Sequence, residues 1–331
     1  MAKILSLALR PRTLSTLYGQ ESTVTAIRKQ MATRQPAAWM FAGPSGCGKT
    51  TIAGILAVSF NCPHMIVWGD PCEECWKAQK SFAIHEVNAS SVNGVEELEK
   101  VVEMSRFRPA YEGGKRVIIL DEAQRISSAA QNMLLSPFEK PPTSTVWIIC
   151  TTEPQKILPT LRKRCATYQM KLLGFDAAEK FLAKQAARVK IGQELSPLYE
   201  QCHLMQVSAP RDLLMALEKY ASGLSAVEAV AGVDESGIDS LRVCKAVTSG
   251  QWKAVANTLK DASPDQARWV RASVSGWLRG VLERESTPAG LDRASTSILE
   301  LCSPPLDDST MMHWLWAILY RICKKYQGAG R

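Results

Sequence analysis

The stretch Phe41-Ala-Gly-Pro-Ser-Gly-Cys-Gly-Lys-Thr-Thr51 places three glycines, a lysine and two threonines directly after a short apolar run. Gly43, Gly46 and Gly48 relax the backbone, and a helix-like segment, TIAGILAVSF, follows at once. This combination is typical of a loop whose N–H groups point at one anion, closed by the positive N-terminus of a helix. The stretch therefore predicts a phosphate-binding loop between a buried strand and a helix.

The same stretch matches the pattern G-x-x-x-x-G-K-[ST] from Gly43 to Thr50. In this pattern the backbone amides cradle phosphates, Lys49 reaches the β- and γ-phosphates, and the Thr50 hydroxyl holds Mg²⁺. A chance glycine-rich turn is the alternative, and the flanking strand and helix argue against it. Nucleotide contacts are predicted for the whole loop, namely Gly43, Pro44, Ser45, Gly46, Cys47, Gly48, Lys49, Thr50 and Thr51.

A second strand ends in two acids, Val117-Ile-Ile-Leu-Asp-Glu122. Asp121 is predicted to complete the Mg²⁺ shell begun by Thr50. Glu122 is predicted to polarise the attacking water as general base. An acidic N-cap of the next helix is the alternative interpretation. Because the two motifs support each other, ATP and Mg²⁺ are the expected substrate and cofactor.

The amino-acid composition limits the class of protein and the cellular location to be considered. The chain has 331 residues, 46% hydrophobic and 22% charged, which is ordinary globular usage. No apolar run is long enough to span a bilayer, the N-terminus lacks a cleavage signal, and the ten cysteines are typical of a reducing compartment. A cytoplasmic location in a bacterial cell, including a virus-infected one, with no membrane partner, is expected. The net charge of +8 is compatible with a polyanionic partner and equally with solvated basic faces.

Strand-like and helical segments alternate in the first half of the chain, which predicts a parallel sheet with helices on both faces. After Met170 the strand signals stop, and helical patterns begin near Asp176 and Pro210. The polar segment Gly232–Asp239 is a predicted linker, and everything beyond it has helical periodicity. The expected strands are Trp39–Ala42, Ile84–Asn88, Val117–Leu120, Val146–Cys150 and Ala166–Met170.

Three segments carry a specific family resemblance: RPRTLSTLYGQESTVTAIRKQM from Arg10, LDEAQRISSAAQNMLL from Leu120, and CTTEPQKILPTLRKRC from Cys150. They resemble the AAA+ ATPase subunits of sliding-clamp loaders, most of all the bacterial tau/gamma type, and more distantly the small subunits of replication factor C. The resemblance runs from about Arg10 to Tyr220. It implies an α/β AAA+ P-loop core with a five-stranded parallel sheet over 1–171, a small helical lid over 172–231, and an all-helical oligomerisation collar over 236–331.

The resemblance assigns further nucleotide contacts. Arg10, Pro11 and Tyr18 match the N-terminal box that packs around adenine. Thr152 matches the sensor-1 position, where a hydroxyl orients water or the γ-phosphate; otherwise it is a threonine at a strand end.

Arg211, preceded by Pro210, matches sensor 2 of the lid, which reaches the phosphates. The alternative for Arg211 is a local ion pair with Asp212.

Arg164 matches the arginine of the family's Ser-Arg-Cys motif, which acts on a neighbouring subunit's ATP. A guanidinium presents a fixed fork to developing phosphate charge. Here the motif reads Lys163-Arg164-Cys165, a departure that weakens the match but keeps the arginine. Arg162 is a second candidate for the same role. The alternative to any catalytic role is a basic patch on a solvated turn.

Cys62, Cys72 and Cys75 correspond to the zinc module that bacterial loaders of this type carry, with four cysteines. In this chain Ala78 stands where the fourth ligand is expected, and His64 is the nearest substitute. A structural zinc site is tetrahedral with four protein ligands. Two interpretations stay open, a zinc site completed by His64 and a module without metal.

The family tracks the backbone of duplex DNA through helix N-termini and basic side chains. The matching positions here are Ser90 to Gly94, Arg125, Ser127 and Ser128. Contacts of this kind go to phosphates and do not discriminate sequence. Ordinary helix caps and a solvated arginine are the alternative for each position.

The resemblance thus implies an ATPase subunit that opens a sliding clamp and closes it on primer–template DNA, in an assembly with other loader subunits, expected to be a pentamer. One alternative is another AAA+ motor such as a branch-migration helicase. It would need a DNA-translocating domain after the lid, where only a helical pattern is found. Another is a nucleotide-bound scaffold subunit that does not hydrolyse ATP, against which the intact Lys49, Asp121, Glu122 and Arg164 argue.

Overall fold

The computed structural model describes residues 4–33, 35–78, 83–89, 95–109, 114–205, 207–230, 240–260, 262, 264–302 and 311–327. The chain divides into two compact units. One consists of Ser6–Ala177 with the short segment Ala209–Arg211. The other consists of Ala178–Ser208 and Asp212–Arg331 with the first five residues.

The first unit is built on a five-stranded parallel sheet with strand order β2-β3-β4-β1-β5. Parallel neighbours require crossover connections, and the helices between the strands supply them. The predicted sheet is therefore confirmed, with strand ends shifted by one residue at most. The strands are β1 (Ala38–Ala42), β2 (Ile84–Asn88), β3 (Arg116–Asp121), β4 (Thr145–Thr151) and β5 (Ala166–Gln169).

Helices cover both faces of this sheet. Ile52 and Leu56 pack on one face together with Ile27. Leu98 packs on the other face together with Phe138. The central strands β1 and β4 are buried along their whole length, which explains why β1 and the interior of β4 are apolar. The helices before β5 are α1 (Leu5–Ala8), α2 (Glu21–Thr33), α3 (Lys49–Ser59), α4 (Glu73–Lys77), α5 (Val95–Ser105), α6 (Ser128–Met133), α7 (Leu135–Glu139) and α8 (Pro159–Arg162).

Strand register brings the carboxyl ends of β1, β3 and β4 to one edge of the sheet. Ala42 pairs with Thr151, and the N–H of Gly43 donates to the Thr151 carbonyl at 3.2 Å. In open parallel sheets, ligands bind at this carboxyl edge. The phosphate loop and the ends of β3 and β4 therefore share the edge where a ligand is expected.

The second unit is helical throughout its described residues, as predicted for the region after the sheet. An apolar cluster in this unit is built from side chains spaced at helical intervals, such as Val243, Val247, Val274, Leu278 and Leu319. The helices after β5 are α9 (Phe175–Arg188), α10 (Ser196–Leu204), α11 (Pro210–Ala221), α12 (Ala226–Val230), α13 (Ser240–Thr248), α14 (Trp252–Leu259), α15 (Pro264–Arg284), α16 (Pro288–Leu301) and α17 (Met311–Tyr326).

The division of this helical part into a lid over 172–231 and a collar over 236–331 stays a prediction. Residues from both parts belong to the same compact unit. The predicted linker, residues 232–239, lies outside the described residues. Among the helices that the structure describes, none combines the length and apolar character needed to cross a membrane.

Candidate functional site

The phosphate loop connects β1 to α3 with a backbone that depends on two of its glycines. Gly48 is the N-cap of α3 and has a φ of 103°. Residues other than glycine rarely adopt this left-handed backbone conformation. A Cβ at Gly43 would lie 2.5 Å from the carbonyl oxygen of Met170, at the end of β5. The first glycine thus allows a close approach of two backbones, and the second sets the entry into the helix.

Lys49 is enclosed by this loop and only 6% exposed. Its Nζ donates to the carbonyl oxygens of Gly43 at 2.9 Å and Pro44 at 2.8 Å. A buried ammonium must have hydrogen-bond partners, and these carbonyls supply them. The positive charge of Lys49 therefore lies where the N–H groups of the loop would bind an anion. Pro44 and Ser45 form the exposed tip of the loop.

Thr50 and Asp121, predicted as Mg²⁺ ligands, are brought together by the fold. The Thr50 hydroxyl donates to Asp121 Oδ2 at 2.7 Å, and the N–H of Glu122 donates to Asp121 Oδ1 at 3.0 Å. A hydroxyl and a carboxylate at this separation are oxygen donors of the kind that Mg²⁺ takes. The residues present therefore suit the predicted cation.

Glu122 follows β3 in a left-handed conformation, with φ of 52°. Its Oε2 accepts a hydrogen bond from Nε2 of Gln124. Gln124 Oε1 in turn accepts from the Thr151 hydroxyl at 2.9 Å and from the Thr152 N–H at 3.3 Å. The candidate base and the candidate sensor-1 residue are thus joined by one side chain.

Gln124 was not among the residues singled out from the sequence. It lies in a 3-10 turn, Ala123–Arg125, and no spacing rule marks a glutamine two residues after a catalytic carboxylate. The only sequence signal was its presence in the family-like segment LDEAQ.

Arg211 and Pro210 lie at the beginning of α11, and the Arg211 N–H is 3.5 Å from the Gly46 carbonyl oxygen. Burial raises the pKa of the Cys47 thiol, while the charges of Lys49 and Arg211 act in the opposite direction. The Arg211 cation is therefore close enough to the phosphate loop to act on it electrostatically.

The N-terminal box meets the phosphate loop at Arg10, whose Nε donates to the Thr51 hydroxyl at 3.1 Å. A cleft of about 260 Å³ opens there, and Trp76 of α4 contributes to its lining. Pro11 and Tyr18 are partly buried in the same unit but are not among the residues lining this cleft.

Arg164 lies between α8 and β5 and is exposed. Its guanidinium donates to the Thr160 carbonyl at 2.7 Å and forms an ion pair with Glu139 at the end of α7. The competing Arg162 is half-buried, and its Nε is enclosed without a hydrogen-bond partner. Of the two arginines, Arg164 is the more exposed.

Cys62, His64, Cys72 and Cys75 form a compact cluster, with their ligand atoms all within 4.8 Å of one another. The Sγ atoms of Cys62 and Cys72 are 3.8 Å apart, and His64 Nδ1 lies 3.7 Å from Cys72 Sγ and 3.8 Å from Cys75 Sγ. A tetrahedral zinc site with Zn–S bonds of 2.3 Å needs sulfur atoms about 3.8 Å apart. The donor set and its spacing therefore fit zinc, and Ala78 is the C-cap of α4.

Two thiols of this cluster differ in acidity. Hydrogen bonds from the Cys75 N–H, and then from His64, lower the pKa of Cys72 to about 6. Burial, followed by the neighbouring Cys72, raises the pKa of Cys75 to about 12. Cys72 is thus the thiol with the greater thiolate character.

The cluster is tied to the N-terminal box by the loop that carries its ligands. The Leu14 N–H donates to the Gly69 carbonyl at 2.8 Å, and the Ser15 N–H donates to Asp70 Oδ1 at 2.9 Å. Arg28 of α2 forms an ion pair with Asp70 at 2.9 Å. The conformation of this loop therefore helps to set the position of the N-terminal box.

The predicted DNA-contact positions are only partly described. Arg125 is exposed at the end of the 3-10 turn, and Ser127 caps α6 by accepting from the Ala130 N–H at 3.3 Å. Ser128 is exposed in the first turn of α6. Ser90 and Gly94 lie outside the described residues.

Comparison with known proteins finds similarity to subunits of DNA polymerase III. The family model described as "DNA polymerase III, delta subunit" matches residues 19–173, a range that contains the phosphate loop and Arg164. The DNA polymerase III subunit gamma/tau of Mycobacterium bovis is 29% identical over 321 residues, covering 90% of this chain and 53% of that protein. The DNA polymerase III subunit tau of Bacillus subtilis is 35% identical over 175 residues, covering 51% of this chain and 31% of that protein.

The chain spans about half the length of the Mycobacterium relative, and a smaller share of the Bacillus one. Among solved structures, RuvB variants from Thermotoga maritima match with TM-scores of 0.52 and 0.53 at 14% identity. They cover 82% and 83% of this chain and 92% of theirs. At that identity the likeness concerns the fold alone. Together, these findings show that the chain is similar to the gamma/tau subunits of bacterial DNA polymerase III over most of its own length, and that it shares its fold with RuvB.

Proposed function

We propose that this chain is an ATP-hydrolysing subunit of a sliding-clamp loader. The observation that carries the proposal is the meeting of Lys49, the Thr50–Asp121 pair and Glu122 at one edge of the sheet, with the Thr50 hydroxyl 2.7 Å from the Asp121 carboxylate. Phosphoryl transfer depends mainly on positioning and charge stabilisation, and these residues offer both. Similarity to subunits of DNA polymerase III supports the biological setting.

In this proposal the phosphates of ATP occupy the loop from Gly43 to Thr51. Lys49 exchanges its bonds to the loop carbonyls for phosphate oxygens, and Arg211 approaches from the beginning of α11. Arg10, Pro11 and Tyr18 are proposed to contact the base, with Arg10 already bonded to Thr51. Thr50 and Asp121 would hold Mg²⁺, which would neutralise the phosphate charge.

Glu122 is proposed to accept the proton of the attacking water, and Thr152 to orient that water or the γ-phosphate. A carboxylate can serve as base only when one of its oxygens is free to reach the water. Gln124 binds Oε2 of Glu122. We therefore assign the base function to Oε1.

Glu122→Gln is expected to keep ATP binding and to lower turnover by at least about a hundredfold, because an amide cannot accept the proton. Nucleotide titration and steady-state phosphate release with clamp and primed DNA measure the two effects separately. Glu153→Gln, at an exposed acid paired with Lys156, is the matched control and should hydrolyse normally. Turnover of Glu122→Gln at the wild-type rate would show that another group is the base.

Arg164 is proposed to act across a subunit interface on the ATP of a neighbour, since its guanidinium is exposed and follows the last helix before β5. Sliding clamp, primer–template DNA and other loader subunits are the proposed partners, in an assembly we expect to be a pentamer. Arg125, Ser127 and Ser128 are proposed to contact DNA phosphates. Ser90 and Gly94 remain proposed contacts on the basis of the sequence.

We further propose that Cys62, His64, Cys72 and Cys75 hold a structural zinc ion. The observed separations of 3.7–3.8 Å between neighbouring ligand atoms support a tetrahedral site with His64 in place of a fourth cysteine. A zinc ion would stabilise the loop that bonds to Leu14 and Ser15.

Protein purified without added metal is expected to contain close to one zinc per chain by elemental analysis. Cys72→Ser and His64→Ala should each lose most of it, because a structural site needs four ligands. Cys302→Ser, at an exposed cysteine far along the chain, should retain it. Folded protein without zinc, or full zinc content in His64→Ala, would contradict this ligand set.

A further inference from the structure

Gln124 makes a chain of hydrogen bonds between two elements of the proposed catalytic edge. Its Nε2 donates to Glu122 Oε2. Its Oε1 accepts from the Thr151 hydroxyl at 2.9 Å and from the Thr152 N–H at 3.3 Å. One half-buried carboxamide thus connects the residue after β3 with the end of β4.

The orientation of this carboxamide follows from the chemistry of its partners. An ionised carboxylate can only accept hydrogen bonds, so the NH₂ group must face Glu122. A backbone N–H can only donate, so the carbonyl oxygen must face Thr152. Because a flipped amide would oppose donor to donor and acceptor to acceptor, Gln124 has a single satisfied orientation.

Thr151, the β4 residue that donates to Gln124, has a fixed position. Thr151 is fully buried at the end of the strand, and its hydroxyl oxygen accepts from the Glu153 N–H at 3.1 Å. The hydroxyl proton is therefore directed to Gln124. Glu122, in contrast, is only half-buried, so its side chain depends on specific bonds for a fixed direction.

We propose that Gln124 is a positioning residue that fixes the Glu122 carboxylate against the end of β4. The proposal rests on the proposed function, because it assumes that Glu122 acts as the base. With Oε2 held by Gln124, Oε1 is left to face water in a defined direction. The link also transmits any shift of Thr152, the candidate sensor of the γ-phosphate, to the base through one side chain.

Gln124→Met tests this role, because methionine has nearly the same length and forms none of the three hydrogen bonds. We expect kcat to fall about ten- to a hundredfold, the scale on which misplacement of a reacting group acts. KM and the equilibrium affinity for ATP should stay within about threefold, because no phosphate contact is removed. Gln155→Met, at an exposed glutamine in the 3-10 turn Pro154–Lys156, is the matched control and should behave as wild type.

Gln124→Glu is a second variant of the same length. It keeps an acceptor for Thr151 and Thr152, removes the donor to Glu122, and places a like charge beside it. We expect a loss of kcat at least as large as that of Gln124→Met. If either variant folds and retains wild-type kcat, or loses ATP affinity in proportion to kcat, the positioning role is overturned.

The Glu122→Gln background separates positioning from a general structural effect. A residue that acts only through Glu122 has nothing left to position there, so adding Gln124→Met should change residual single-turnover hydrolysis by less than about twofold. An equal fold-loss in both backgrounds would overturn the proposal. Wild-type protein without ATPase activity in the presence of clamp and primed DNA would overturn the proposed function itself, whereas an active wild type with an unaffected Gln124→Met overturns only this inference.

Discussion

Arg164→Ala is expected to lower ATP hydrolysis in the clamp- and DNA-stimulated assembly by about 10³- to 10⁵-fold, the value of an arginine supplied to a phosphoryl-transfer site. The ATP affinity of the isolated subunit should stay close to that of wild type, because the arginine acts on a neighbour's nucleotide. Nucleotide titration of the single subunit and phosphate release from the assembly measure the two quantities.

The ion pair between Arg164 and Glu139 is weak enough to be broken when Arg164 acts on a neighbour's ATP. The two side chains are 32% and 49% exposed, and ion pairs at such exposure contribute only about 0–1 kcal/mol. A phosphate group in a water-excluded interface offers the guanidinium a stronger, bidentate partner. Arg164 can therefore leave Glu139 at small cost when a neighbouring subunit binds.

Two neighbouring basic residues serve as controls. Lys163→Ala removes an exposed charge beside Arg164 and should leave hydrolysis nearly unchanged. A loss with Arg162→Ala and none with Arg164→Ala would transfer the role to Arg162.

Mixed assemblies test the shared site directly. A Lys49→Ala subunit should still donate a working arginine, and an Arg164→Ala subunit should hydrolyse ATP where a wild-type neighbour faces it. Absence of complementation, with both variants still assembling, would contradict catalysis across the interface.

Lys49→Ala is expected to reduce ATP affinity by about 10²- to 10⁴-fold. Hydrogen bonds to charged groups contribute about 1.5–3 kcal/mol each, so the loss of two such bonds to phosphate corresponds to an effect of this size. Calorimetric or fluorescence titration with ATP and Mg²⁺ measures it.

The control for this variant is Lys156→Ala, at an exposed lysine that pairs with Glu153. It should bind ATP as wild type does. Thermal unfolding must accompany the titration, because Lys49 also bonds to the carbonyls of Gly43 and Pro44. A folded Lys49→Ala that binds ATP within about threefold of wild type would contradict the assignment of the loop to phosphate.

The amino-acid sequence was sufficient to predict the parallel sheet and the phosphate loop. Uniformly apolar strands such as Val146–Cys150, and a glycine-rich loop before a helix, depend on local chemistry that is legible in consecutive residues. The observed β4, Thr145–Thr151, extends the predicted strand by one residue at each end. The pairing of Thr50 with Asp121 was also predictable, because parallel strands end at a common edge.

The sequence left open whether the cysteine module had a fourth ligand, and it did not mark Gln124. His64 precedes Cys75 by eleven residues, yet its Nδ1 lies 3.8 Å from the Cys75 sulfur. Gln124 and Thr151 are separated by twenty-seven residues and share a hydrogen bond of 2.9 Å. Neither pair follows a spacing rule, so neither could be inferred from consecutive residues.

What the sequence determined by itself is therefore the chemistry of each segment: a glycine-rich loop with a lysine, a strand ending in two acids, and a basic turn at Arg164. Only the tertiary structure decided which side chains meet across segments, such as Gln124 with Glu122 and Thr151, or His64 with Cys72 and Cys75. The physical reason is that strand propensity and glycine conformations act over neighbouring residues. Contacts between distant residues depend instead on strand register, turn geometry and burial, which arise only when the whole unit folds.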